Sequence, residues 1–182
     1  MPRISSFLLL SGGLLAGVSA CRRPVAVADG PWHLVQRPAD DACAYVSAAG
    51  DTVIPFGHYP LCFTRRFAHV AIVLKPGLGF VGIDRQERVL FRVHAFDNGP
   101  DYPVEGLFRI VGDSGRLGYA DTLGRVVIAP RFGAAFPFEH GRARVGRGCQ
   151  AETDGEHSWW ACAEWYYVDR QGRRLEETPP GR

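Results

Sequence analysis

Lysine occurs once in this chain, at position 75, and methionine only at position 1. After residue 20 no stretch is long and apolar enough to cross a bilayer, which takes about 20 such residues. Nowhere do apolar residues keep a sustained helical period with capping residues at its ends, so helix is expected to be minor. The histidines, at positions 33, 58, 69, 94, 140 and 157, form no i, i+4 pair and no His-Glu-x-x-His. The cysteines lack the close Cys-x-x-Cys pairs of structural zinc sites, so neither a metal nor a cofactor is expected. An excess of charge is lacking too: the chain has 21 basic and 19 acidic residues, and without residues 1–20, which hold Arg3 and no acid, the balance is +1. A near-neutral surface gives no electrostatic reason to expect nucleic acid.

What the chain does have is a period. Segments beginning at Ala44, Val81 and Gly118 start 37 residues apart and read alike, and a fourth, Tyr166–Leu175, follows 48 residues after the third. A period of 20 to 50 residues marks stacked repeats, because one unit cannot bury its apolar face alone. Each copy joins a short alternating stretch to a tight turn and a β-branched run, the pattern of a hairpin. In the third copy Asp121 is expected to accept hydrogen bonds from the turn backbone while Gly124 takes a positive φ; Asp169 and Gly172 repeat the pairing. Ser47 and Gly50 give a weaker version, and Asp84 is followed by Glu87 where glycine belongs, which predicts a strained or differently shaped turn. A second element recurs at Phe67–Val73, Val104–Val111 and Phe138–Val145, making the unit about three strands.

The expected fold is all-β, with tandem antiparallel hairpin or three-strand repeats in an open or partly wrapped array. The repeat domain is placed at residues 39–175, with units near 43–79, 80–116, 117–164 (carrying an insertion) and 165–175 (partial). Residues 176–182, rich in proline, are expected to be a disordered tail.

The order aromatic-Gly-Tyr-Ile-Asp, two residues, Gly, a basic residue and Val-Ile-Pro, then Phe-x-Glu-Gly and a strand, resembles the WG repeat, also called the KWG repeat, of bacterial proteins. Leu117 to Asp121, Ala129-Pro130 and Phe138-Glu139 carry the closest match. The tryptophan position holds Cys43, Phe80, Leu117 and Trp165, and only Gly118 keeps the glycine. The resemblance implies a β-rich scaffold, often on exported proteins, with no shared catalytic residues.

Residues 1–20 read as an export signal. Arg3 precedes an apolar run from Phe7 to Leu15, and Val18-Ser19-Ala20-Cys21 resembles the bacterial lipobox, which implies a lipidated Cys21. Residues 21–38, with prolines at 24, 31 and 38, read as a lipidated tether holding one short strand at Trp32 to Val35. The expected location is the bacterial cell envelope, with the outer membrane favoured by the absence of aspartate after Cys21. Four further cysteines in such a compartment predict disulfides. Three pairings are possible, and Cys43 with Cys62 and Cys149 with Cys162 are the expected ones.

The remaining motifs read as structure. Gly112-Asp113-Ser114-Gly115 resembles a serine-protease nucleophile segment but lacks a matching histidine context, so it is expected to be a turn. Asp84, Asp121 and Asp169 recur once per unit, and each is expected to serve its own turn. Arg142, Arg144 and Arg147 are expected on one solvated strand face. Trp159, Trp160, Trp165 and Tyr166 form the most aromatic stretch; adjacent tryptophans face opposite sides of a strand, so one can pack in the core while the other is exposed, and capping of the last repeat is favoured over a protein or glycan contact. The expected function is a non-enzymatic binding or scaffold module, held to the membrane by lipid, whose partner is another envelope protein or a glycan. An envelope hydrolase and a purely structural or inhibitory lipoprotein are the alternatives.

Overall fold

A computed structural model describes residues 30–176. These contain no helix, and their strands form several antiparallel sheets, none of them closed. In chain order the strands are β1 (Trp32–Gln36), β2 (Cys43–Val46), β3 (Thr52–Ile54), β4 (Leu61–Cys62), β5 (Arg66–Phe67), β6 (Ala71–Lys75), β7 (Gly79–Ile83), β8 (Val89–Val93), β9 (Ala95–Phe96) and β10 (Gly99–Pro100). Then follow β11 (Leu107–Val111), β12 (Leu117–Asp121), β13 (Val126–Phe132), β14 (Ala134–Ala135), β15 (Arg142–Thr153), β16 (Ser158–Asp169) and β17 (Arg174–Leu175).

Each unit is a three-stranded meander: β1–β3, β6–β8, β11–β13 and β15–β17. The third strand of the second meander pairs with the first of the third, so these two share one seven-stranded sheet, ordered β13-β12-β11-β8-β7-β6-β4. The first and fourth meanders form separate four-stranded sheets with β5 and β14. The folded body reaches back to Trp32, within the stretch read as a tether. Trp32 and Leu34 pack on the core of the first two meanders, and β1 pairs along its length from His33 to Gln36 with β2. Cys21 and residues 177–182 lie outside the described residues.

Strands β6, β7, β11 and β12 read as largely continuous apolar runs because both of their faces are covered. Ala71 and Val73 face one core, with Tyr45, Ile54 and Phe67 of the first meander. Val70 and Ile72 face the next, with Phe91, Phe108 and Ile110. Leu107, Leu117 and Tyr119 belong to a third, closed by Phe138, Val145 and Val168 of the fourth meander. Every core lies between successive meanders, as nearest-neighbour stacking requires.

The turns follow one design. Asp121 Oδ1 accepts the N–H groups of Leu123 and Arg125 at 3.0 and 2.9 Å, and Oδ2 accepts the Arg125 Nε–H at 2.7 Å. Asp84 with Gln86 and Arg88, and Asp169 with Gln171 and Arg173, repeat this arrangement. At all three, burial pulls the carboxyl up, but the backbone and arginine donors outweigh it and hold the group below the usual range. Ser47 Oγ accepts from Ala49 and Asp51 in the first meander, at 3.2 Å each.

Glu87 keeps the shape of the turn rather than changing it, taking φ 59° where the other copies use glycine. Its carboxylate explains its presence: Oε2 accepts the Tyr59 hydroxyl at 2.8 Å and lies 2.8 Å from His58 Nε2, tying the second meander to the first. Gly118 is required by a close approach. A Cβ there would collide with the Ile128 carbonyl and sit 2.7 Å from the Pro130 nitrogen, at the irregularity where β12 meets β13. Pro130 is tolerated because β13 is an edge strand.

Candidate functional site

The insertion before the fourth copy is a hairpin, not a loop. β15 and β16 run 12 residues each and pair in one register from Arg142–Asp169 to Thr153–Ser158, interrupted only at Gly148, where φ is 61°. Their flanking strands are much shorter: β14 pairs only with Val145 and Gly146, and β17 only with Tyr167 and Val168. Beyond the Cys149–Cys162 pair, residues 150–161 therefore have only each other as strand neighbours. That pair is bonded, with the sulfurs 1.99 Å apart, and so is Cys43–Cys62, at 2.08 Å. The bridge at the hairpin rests on glycines: a Cβ on Gly146 would lie 2.5 Å from Cys149 Sγ, and one on Gly133 3.0 Å from Cys149 Cβ.

Extension of the hairpin decides where the aromatic residues go. Trp159 and Trp160 do point to opposite faces, but neither enters a core; they are 46% and 39% exposed, because no sheet lies under this part of the hairpin. Trp159 donates its indole N–H to Glu152 Oε2, its cross-strand neighbour, at 3.0 Å. Trp165 and Tyr166 lie lower, where the hairpin joins the body, and both are half-buried. Tyr166 packs against Phe132 and the Arg174 guanidinium, while Trp165 is tilted against Phe136.

The arginines of β15 do not share one face. Strand parity puts Arg142 and Arg144 on one side and Arg147 on the other, where Arg147 and Arg174 each stand 2.6 Å from a Glu164 carboxylate oxygen. The Arg174 hydrogen bond is the main cause holding that carboxyl below its usual range, against some burial and aided by Arg147. Arg142 and Arg144 are stacked rather than simply solvated. The Arg142 guanidinium carbon is 4.8 Å from the Tyr167 ring centre, and that of Arg144 is 4.4 Å from Trp165 and 6.0 Å from Phe136. The two arginines, with Phe136, Pro137, Glu139, His140 and Tyr167, line a groove of about 210 Å³. His140 occupies the same turn position as Glu105, each with a positive φ and followed by glycine, so the turn fixes it at the rim.

Elsewhere, Phe63, Val70, Ile72, Tyr102, Phe108 and Leu123 line an apolar groove of about 370 Å³ between the second and third meanders, with His69 and Thr64 at its edge. Beside it lies a buried ion pair that nothing in the local sequence announces. Asp101 accepts the Arg109 Nη2–H at 2.5 Å, the Nε–H at 3.0 Å and the backbone N–H at 2.8 Å. Arg109 Nη1–H reaches the Ala135 carbonyl at 3.2 Å, and the guanidinium lies 5.2 Å from the Phe96 ring centre. Burial, then the charge of Arg109, pushes the neighbouring His94 below its ordinary pKa, with Asp101 opposing. Tyr45 and Tyr119, at matching positions of two units, donate their hydroxyls to the carbonyls of Thr64 and Phe136; burial raises both phenols. Gly112 to Gly115 forms the turn between β11 and β12, closed by the Gly115 N–H on the Gly112 carbonyl, so it lies inside a meander and not between two. Among the described residues no three His, Cys, Asp or Glu side chains gather closely enough to hold a metal ion.

Stacked meanders with shared cores define an all-β repeat protein. The family described as "WG containing repeat" matches residues 118–148, from β12 through the start of the long hairpin. No curated protein and no solved structure is significantly similar to the chain.

Proposed function

We propose that this chain is a lipid-anchored binding module of the bacterial cell envelope, in which the β15–β16 hairpin contacts another envelope protein. The observation that carries the reading is the pair of tryptophans, Trp159 and Trp160, held exposed on a disulfide-stapled hairpin with no sheet beneath it. Tryptophan on a rigid, projecting element supplies large contact area at little cost in conformational freedom, and such residues dominate binding energy at protein interfaces. The stacked repeats supply the rigid base. Attachment rests on the sequence around Cys21, since a multiply acylated cysteine meets the need for more than one buried chain.

Crosslinking in intact cells tests the reading. The native chain is expected to capture a discrete protein partner, and Trp159→Ala with Trp160→Ala to lose it while the fold persists. Cys21→Ala is expected to release the chain from membrane fractions. Recovery of the chain alone at every crosslinker length refutes the binding role, and unchanged membrane retention of the Cys21→Ala form refutes the anchor.

A further inference from the structure

We infer that Arg142 and Arg144 form a subsite for a single carboxylate side chain of the partner protein. The inference rests on the reading of the hairpin as a binding surface and adds the chemistry recognised at its base. Most arginines described already have an acceptor. Arg88, Arg125 and Arg173 serve turn aspartates, Arg109 serves Asp101, Arg147 and Arg174 serve Glu164, and Arg85, Arg116 and Arg131 reach backbone carbonyls. Arg142 and Arg144 have neither an ion pair nor a side-chain hydrogen bond among the described residues. They are nevertheless held in place, because each guanidinium lies on an aromatic face: Arg142 on Tyr167, and Arg144 on Trp165 and Phe136.

A stacked guanidinium keeps its N–H edges free, so its five donors are oriented before any acceptor arrives. Two such forks stand two residues apart on one face of β15, roughly 7 Å along the strand. Planar forks of this kind match the two oxygens of a carboxylate. Three features of the groove select the ligand. At about 210 Å³ it is below the roughly 300 Å³ at which small-molecule pockets begin, and it suits one side chain. One face of each ring is already covered by arginine, which leaves less aromatic surface to stack on a sugar ring. Glu139 lines the same groove and offsets one of the two positive charges. The remainder suits one negative charge, whereas an anionic membrane surface is recognised by clusters of about 4–8 basic residues.

The test uses the full chain carrying Cys21→Ala, purified with both disulfides formed. The arginine Nε–H and tryptophan indole N–H signals are followed by NMR during titration with acetylated, amidated tetraglutamate, with its tetraglutamine counterpart, and with inorganic phosphate. Tetraglutamate is expected to move the Arg142, Arg144 and Trp165 signals saturably, and tetraglutamine to move none of them. Arg142→Gln and Arg144→Gln are each expected to weaken the response about fivefold, the size of an exposed charge pair. Arg142→Lys and Arg144→Lys, which keep the charge but lose the fork, should weaken it as well. An unchanged Arg109 Nε–H signal in each variant shows that the fold is intact. An equal response to tetraglutamine, no response at all, or tighter binding of phosphate overturns the inference. Because no cellular partner is present, a silent titration beside intact partner capture refutes the subsite alone. An intact titration beside lost capture in every setting refutes the hairpin's binding role.

Discussion

Breaking the Asp101–Arg109 pair should cost far more than removing it. Both side chains are nearly excluded from water, at 6% and 7% exposed, and the guanidinium has three of its N–H groups committed, two to Asp101 and one to Ala135. Asp101→Ala leaves a buried cation without its counter-charge, and Arg109→Leu leaves a buried carboxylate with only the Arg109 backbone N–H. Losing one partner of such a pair costs about 3–5 kcal/mol. With both replaced, no charge remains to be desolvated, and the main residual loss is the unsatisfied Arg109 N–H, about 1–3 kcal/mol. The double variant is therefore expected to be more stable than either single variant. Each single loss is a large share of a total stability of about 5–15 kcal/mol. Urea unfolding of the oxidised protein, followed by tryptophan fluorescence, measures all four corners of the cycle. Additive effects, or single variants within about 1 kcal/mol of the parent, would refute the reasoning.

Two further outcomes are expected. His94 has a folded pKa depressed from its ordinary 6.5, so its stabilising contribution is complete above that value and is lost as pH falls through the folded pKa. Stability measured from pH 7 to 5 should fall, and His94→Gln should flatten that slope; the turn aspartates act lower, their contribution lost as pH falls below 3.8. Glu87→Gly relieves roughly 1 kcal/mol of left-handed strain but strands the Tyr59 hydroxyl, so alone it should be close to neutral in thermal unfolding. Combined with Tyr59→Phe it should raise the midpoint above that of the parent, and a fall would show that Glu87 is not strained.

Local chemistry was the legible part of the sequence. The Asp-x-x-Gly-basic turns formed as the residue types demand, because an aspartate satisfying its own turn needs nothing from the rest of the chain. The pairing of the four cysteines was legible for a similar reason, since both bridges close short loops. The phase of the repeat was not: the first strand of each meander is separated from the recurrent hairpin by turns of different length. Trp32–Gln36 accordingly read as tether. Long-range pairing was equally hidden. Asp101 and Arg109 look like unrelated surface charges until β8 and β11 are brought side by side, and Trp159 and Trp160 looked half-buried on the assumption that a strand lies on a sheet. For the arginines of β15, alternation was the right rule, and Arg147 simply falls on the other parity. Their stacking partners come from β16 and from the stretch after β14, which no inspection of β15 alone reveals.

The sharing of every core between two neighbours bears on how injury spreads through the molecule. A cavity opened at Tyr45 lies in the seam of the first and second meanders, while Phe138 and Val168 lie in the seam of the third and fourth, with Arg109 and Phe108 back to back on β11 between. Damage is thus confined by seams, and the outermost seam can loosen while the others hold. The long hairpin grows from the fourth meander, which contributes to only one seam. Its tip can change in length or sequence with little consequence for the rest of the stack, which leaves the element proposed to meet the partner the one freest to vary.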